Sequence, residues 1–245
     1  MAQTKTADPQ LGFTPLLYGS LFSGIGGIDL GFDRAGLTCE WQVEIDPFAR
    51  KVLEKHWPGV PKHNDIRTFK PTPVDVICGG FPCQDISKAG KGKGIKGERS
   101  RLWNDMLRVI REVRPRFAVV ENVAALRKRG LADVLGGFSS IGFNAEWFCV
   151  NATQFGAPHQ RRRMFIVGWN PYTVRCPWDK GEEFEISDKD PYANRTGRWE
   201  SEPDVGRVVD GVSRGLDVNR RLECLANAVV PDIAEWIGRR LIESV

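Results

Sequence analysis

The chain is poor in the residues from which metal centres and disulfide frameworks are built. Among 245 residues there are three histidines, His56, His63 and His159, and the six cysteines form no C-x-x-C pair. A zinc site therefore has little raw material. Several cysteines stand inside apolar, strand-like runs, the usual setting of a buried, reduced thiol. Cys83 stands apart from these. Long hydrophobic runs are also missing: no stretch approaches the ~20 apolar residues of a membrane span. Met1–Gln10 is polar and lacks the apolar core of an export signal, so a cytoplasmic protein is expected. Nor does one sign of charge dominate, since the net charge is only +4. Its distribution says more: Lys and Arg crowd into Lys88–Arg129, Arg161–Arg163 and Arg220–Arg221, either a solvated surface or a polyanion-binding face.

What is present is the pattern of one globular core with at most a small appended module. Up to residue 168, strand-like runs (Leu16–Phe22, Thr38–Ile45, Val74–Cys78, Phe117–Val120, Asn144–Val150, Met164–Trp169) alternate with helical spacing at Ile28–Ala35, Pro47–His56, Leu102–Val113 and Leu131–Ile141. Such alternation predicts an α/β fold with a mainly parallel, doubly wound sheet. Residues 171–218 are rich in Pro, Gly, Trp and acidic side chains and have weak periodicity. They read as a small, irregular module. Helical spacing returns at Asp232–Ile242.

The first strand runs into Phe22-Ser23-Gly24-Ile25-Gly26-Gly27, where glycines allow a ligand close to the backbone at the sheet's carboxyl edge. A dinucleotide fingerprint would require a third glycine at position 29, which is Asp29, so a pyrophosphate-bearing cofactor is disfavoured. Twenty residues past Gly24, Glu44 can accept from ribose hydroxyls. Asp65, in Asn-Asp-Ile-Arg, can take an adenine amino group. Ribose and adenine without pyrophosphate is the profile of S-adenosyl-L-methionine (SAM).

The strand ending at Cys78 empties into Gly79-Gly80-Phe81-Pro82-Cys83-Gln84, which puts a cysteine where α/β enzymes do chemistry. Asp85–Arg101 follows, with glycines at 90, 92, 94 and 97 and lysines at 88, 91, 93 and 96. This reads as a basic lid hinged on glycine. A second strand ends in Glu121-Asn122-Val123, and an arginine run, Arg161-Arg162-Arg163, precedes another strand. These parts suit methylation of cytosine at carbon 5. A thiolate adds to C6, a carboxylic acid assists at N3, and arginines anchor the base or lower the thiol pKa. A base inside a duplex is out of reach, so it would be flipped out.

These motifs together resemble those of the DNA cytosine-5 methyltransferase family, in a compact bacterial or phage-type form. The resemblance covers nearly everything except residues 170–206. It implies a Rossmann-like SAM-dependent methyltransferase that acts on double-stranded DNA through base flipping and a covalent Cys–C6 intermediate. It implies cofactor contacts from Phe22, Ser23, Gly24, Gly26, Gly27, Glu44, Ile45, Asp65, Ile66, Pro82, Leu102, Asn227 and Ala228. Cys83, Glu121, Arg161 and Arg163 are the implied catalytic residues. Gln84, Ser87, Lys88, Lys91, Lys93 and Arg99 are the implied DNA contacts.

The expected organisation is a flexible tail at 1–14, a catalytic domain from 15–168 plus 219–245, and a reduced target recognition module at 169–218. The sequence departs from the family pattern at His159, where Gln is usual, at Ala226, where Gly is usual, and at Ser20, a position often acidic. A monomer is expected, with a cognate restriction endonuclease as one partner the resemblance allows. Two alternatives stay open: a tRNA cytosine-5 methyltransferase, although its Cys-Phe-Thr signature is lacking, and a catalytically inactive DNA-binding relative.

Overall fold

The computed structural model describes residues 14–82, 101–178, 224–225 and 227–245. Among these residues seven strands form one sheet in the order β3-β2-β1-β4-β5-β7-β6. The strands are β1 (Leu17–Leu21), β2 (Thr38–Val43), β3 (Lys62–His63), β4 (Val76–Gly79), β5 (Phe117–Val123), β6 (Asn144–Asn151) and β7 (Arg162–Trp169). The first five are parallel, and β7 runs antiparallel between β5 and β6. The expected mainly parallel, doubly wound sheet is therefore present, with a reversed strand near one edge. Helices accompany it: α1 (Gly27–Ala35), α2 (Pro47–His56), α3 (Arg101–Val113), α4 (Leu126–Arg129), α5 (Leu131–Ser140) and α6 (Pro231–Glu243). None of the described helices is long and apolar enough to cross a membrane.

Local chemistry explains the boundaries. Helix α2 starts at Pro47 because Asp46 caps it, accepting from the Phe48 and Ala49 amides at 2.7 and 2.9 Å. Helix α3 buries Trp103, Met106, Val109 and Ile110, a stripe at helical spacing that faces the sheet. Three elements carry no periodic signal in the sequence: the two-residue β3, the single turn α4, and a 3-10 turn at Ala152–Phe155. Each is too short to show a period.

The sheet separates two cores. One face packs on α1 and α6 through Phe32, Ile233 and Ile237, the other on α3 and α5 through Met106, Ile110 and Phe138. Helices α1 and α6 approach closely because small residues face each other. A Cβ on Gly31 would lie 2.3 Å from the Pro231 carbonyl oxygen, and one on Gly238 would lie 2.8 Å from the Ala35 Cβ. The C-terminal helix is thereby locked onto the helix that follows the glycine turn.

Trp178, inside the stretch expected to form a separate module, is buried against Phe148 of β6, with ring centroids 5.6 Å apart. The chain thus stays packed on the core at least to that residue.

Candidate active site

Strand order brings the two glycine loops together. Strands β1 and β4 are neighbours, with Leu21 paired to Gly79, so Phe22–Gly27 and Gly80–Pro82 leave the sheet side by side. This is the switch point of a doubly wound sheet, with α1 on one face and α3 on the other, where such folds bind ligands.

The glycines of the first loop serve different ends. Gly24, in a left-handed conformation at φ 56°, has nothing among the described residues within 4 Å of where a side chain would start. Gly26, at φ 85°, is covered by the Trp57 indole, whose Nε1 donates to Asp33 at 2.6 Å. Gly27 makes room for the Val229 carbonyl oxygen, 2.4 Å from its missing Cβ. Gly27 is thus a packing residue that seats the segment bearing Asn227 and Ala228 beside the loop. Ser23 is used internally: its hydroxyl donates to the Ser20 carbonyl at 3.2 Å. Phe22 itself adopts φ 52°, uncommon for a residue with a side chain.

Glu44 stands at the end of β2 and braces this loop. Its carboxylate accepts from the Gly24 amide at 2.7 Å and from the Asp46 amide at 2.8 Å, keeping further lone pairs for a ligand. Ile45 next to it is 64% exposed, an apolar side chain at the site's rim. Asp65 is paired to Arg67, whose guanidinium hydrogen bonds hold its carboxyl below the usual range. The Ile66 side chain is in the core, so only its backbone can face a ligand. Leu102, at the start of α3, packs beside the same core. An open glycine turn, a carboxylate with lone pairs to spare and an exposed apolar rim can take a ligand with hydroxyl donors and an apolar face.

The second group stands across the sheet edge. Glu121 was expected just past a strand end. It lies instead inside β5, which continues to Val123 because β7 pairs along its whole length. The carboxylate is buried and accepts from Arg163 Nε at 2.9 Å. Burial nonetheless pushes its pKa up to about 7, against the opposing pull of Arg163 and Arg161. Gly80 leaves the space: a Cβ there would sit 2.6 Å from Glu121 Oε2. Arg161 keeps two buried donors, Nε and Nη2, without an acceptor among the described residues.

Asn122 faces the other way along the pleat. Its amide donates to the Phe81 carbonyl at 3.1 Å, fastening the loop that leads through the half-buried Pro82 toward Cys83. Sequence reasoning passed over Asn122; its place beside an expected acid was the available signal. Cys83, Gln84, Ser87, Lys88, Lys91, Lys93 and Arg99 lie outside the described residues.

Comparisons with known proteins bear on the fold and the family. The family model for C-5 cytosine-specific DNA methylases matches residues 17–209. Type II methyltransferase M.NgoFVII of Neisseria gonorrhoeae is 33% identical over 215 residues, 83% of this chain and 55% of that protein. Type II methyltransferase M2.BsuMI of Bacillus subtilis is 38% identical over 157 residues, 60% of this chain and 40% of that one. The chain thus spans about half the length, or less, of these relatives. A prophage-encoded DNA modification methyltransferase of E. coli superposes with a TM-score of 0.56 at 26% identity, covering 71% of this chain and 53% of its own. The Dnmt2 methyltransferase of S. pombe, at TM-score 0.54 and 22% identity, supports the fold alone.

Proposed function

The chain belongs to the C-5 cytosine-specific DNA methylase family, and from that premise we propose that it moves a methyl group from SAM to carbon 5 of a cytosine flipped out of duplex DNA. The observation that carries this reading is the cluster at the ends of β5 and β7. A buried, protonatable Glu121 is held by Arg163, with Arg161 offering donors that are unpaired among the described residues.

In this reading SAM supplies an electrophilic methyl group. Glu44 would receive its ribose hydroxyls, Ile45 the flat face of its adenine, and Asp65 the adenine amino group once shared with Arg67. The N-terminal end of helix α1, which no side chain caps among the described residues, would face the methionine carboxylate.

Cytosine N3 would accept a hydrogen bond or proton from Glu121, while Arg161 satisfies its O2. The Cys83 thiolate then adds to C6, and the C5–C6 π electrons become available at C5. C5 would take the methyl group as the S–CH3 bond of SAM breaks and S-adenosyl-L-homocysteine leaves; a base then removes the C5 proton, and Glu121 recovers any proton it gave to N3. The electrons re-form the C5–C6 double bond, and thiolate leaves from C6. Asn122 holds the Phe81–Pro82 loop so that the nucleophile meets C6.

Trapping tests the reading. Duplex DNA carrying 5-fluorocytosine cannot lose the final proton. With SAM it should yield an SDS-stable adduct with the wild-type chain and none with Cys83→Ser. An adduct in the variant, or methyl transfer at the wild-type rate without Cys83, would remove Cys83 from the chemistry. Methylation of tRNA in preference to duplex DNA would replace the substrate.

A further inference from the structure

The described part of the expected polyanion face holds a basic element that none of the residues discussed so far uses. Helix α4 follows β5 directly at the edge that carries Glu121. It is a single turn, Leu126-Arg127-Lys128-Arg129, anchored by the buried Leu126, with its three cations exposed. The Arg127 guanidinium lies 5.1 Å from the centre of the Trp147 ring on β6. A guanidinium held over an aromatic ring loses less freedom on binding than a free one. Arg162 at the start of β7 is also exposed. Strand alternation turns it away from the Glu121–Arg163 pair, toward the face that holds Trp147. Arg127, Lys128 and Arg162 make no ion pair among the described residues. Arg162 stands four residues from Ile166, the partner of Trp147. That separation is about 13 Å, the axial reach of about four nucleotides of one strand.

We propose that Arg127, Lys128 and Arg162 form a shelf that grips the sugar–phosphate backbone of duplex DNA beside the catalytic edge. The shelf lies on the sheet face opposite the Glu121–Arg163 pair. Phosphate is the fitting ligand because the three cations are exposed, spaced along an edge, and in no ion pair among the described residues. The inference rests on the reading that the chain acts on duplex DNA. The shelf would position the duplex without reading its sequence.

Fluorescence anisotropy of a labelled duplex, titrated with the full chain over a range of NaCl concentrations, tests it. Arg127→Ala/Lys128→Ala should weaken binding roughly tenfold at low salt and flatten the log–log salt slope by about 2; Arg162→Ala should flatten it by about 1. Lys55→Ala/Arg111→Ala removes the same charge at the opposite edge and should leave the slope as in wild type. SAM affinity by calorimetry verifies that each variant is folded. Wild-type slopes in the shelf variants, or equal flattening in the control, overturn the shelf while leaving the methyl-transfer reading intact. A wild-type chain that binds tRNA and not duplex DNA overturns both.

Discussion

Asn122 and Glu121 are adjacent on β5 yet serve two faces of the sheet: Glu121 is held by Arg163, and Asn122 donates to the Phe81 carbonyl at 3.1 Å. One strand therefore sets both the acid and the loop that carries the thiol. Asn122→Ala leaves a buried carbonyl unpaired, at a cost of about 1–3 kcal/mol in stability. It also frees the loop, and a misplacement of about 1 Å lowers kcat by about 100-fold. Cofactor affinity should hold. Single-turnover methylation beside calorimetry measures both, and a kcat within twofold of wild type would remove Asn122 from loop positioning.

Glu121 is expected to act in its protonated form. With its pKa near 7, the neutral acid is lost as pH rises through that value, so kcat/KM should decline on the alkaline side. Glu121→Gln has no proton to lose there. It should be slower by about 100- to 10,000-fold and show no such decline. A decline that persists in the Gln variant would assign the titration to another group.

Glu44 both braces Gly24 and offers ribose an acceptor. Glu44→Ala should weaken SAM binding by about 1–3 kcal/mol, the range for a lost buried polar contact. Duplex affinity, measured by anisotropy, should stay close to wild type. Equal loss of both would move the cofactor site elsewhere.

Asp29 supplies a stability test. It is fully buried, accepting from Gln42 at 2.7 Å and Ser20 at 3.0 Å, and burial raises its pKa from 3.8 to about 6. The folded state thus holds more protons than the unfolded one between about pH 4 and 6, so this carboxyl's contribution to stability falls as pH rises through that window. Glu121 adds a fall of the same sign up to about pH 7. Asp29→Asn removes the first window. Its Oδ1 can still accept from Gln42 Nε2. The variant should match or exceed wild-type stability at pH 7.5, by at most about 3 kcal/mol for a two-unit shift. Urea unfolding at pH 4.5, 6 and 7.5 reads this out. A variant less stable than wild type at pH 7.5, with an unchanged pH slope, would mean that the buried anion is not a cost.

Much of the architecture was legible because it is written in local periods. The helical spacing at Pro47–His56 coincides with α2, and the strand run at Thr38–Ile45 contains β2. The roles of the loop glycines were only partly legible. Gly24 meets no described neighbour within 4 Å, whereas Gly27 is spent on the Val229 backbone, some two hundred residues away in the chain. A single sequence has no signal for such a pairing.

By itself the sequence determined the alternation of strands and helices, the turns at strand ends and the chemical types available there. Periods of 2 and 3.6 and the cost of burying polar groups act within a few residues. The tertiary structure alone decided which ends meet. It set β1 beside β4, joining the two glycine loops, and inserted β7 antiparallel between β5 and β6, delivering Arg163 to Glu121. It also extended β5 far enough to bury that acid and raise its pKa. Strand order follows from long-range hydrogen-bond pairing and from the burial of both sheet faces, and neither is encoded in any one segment.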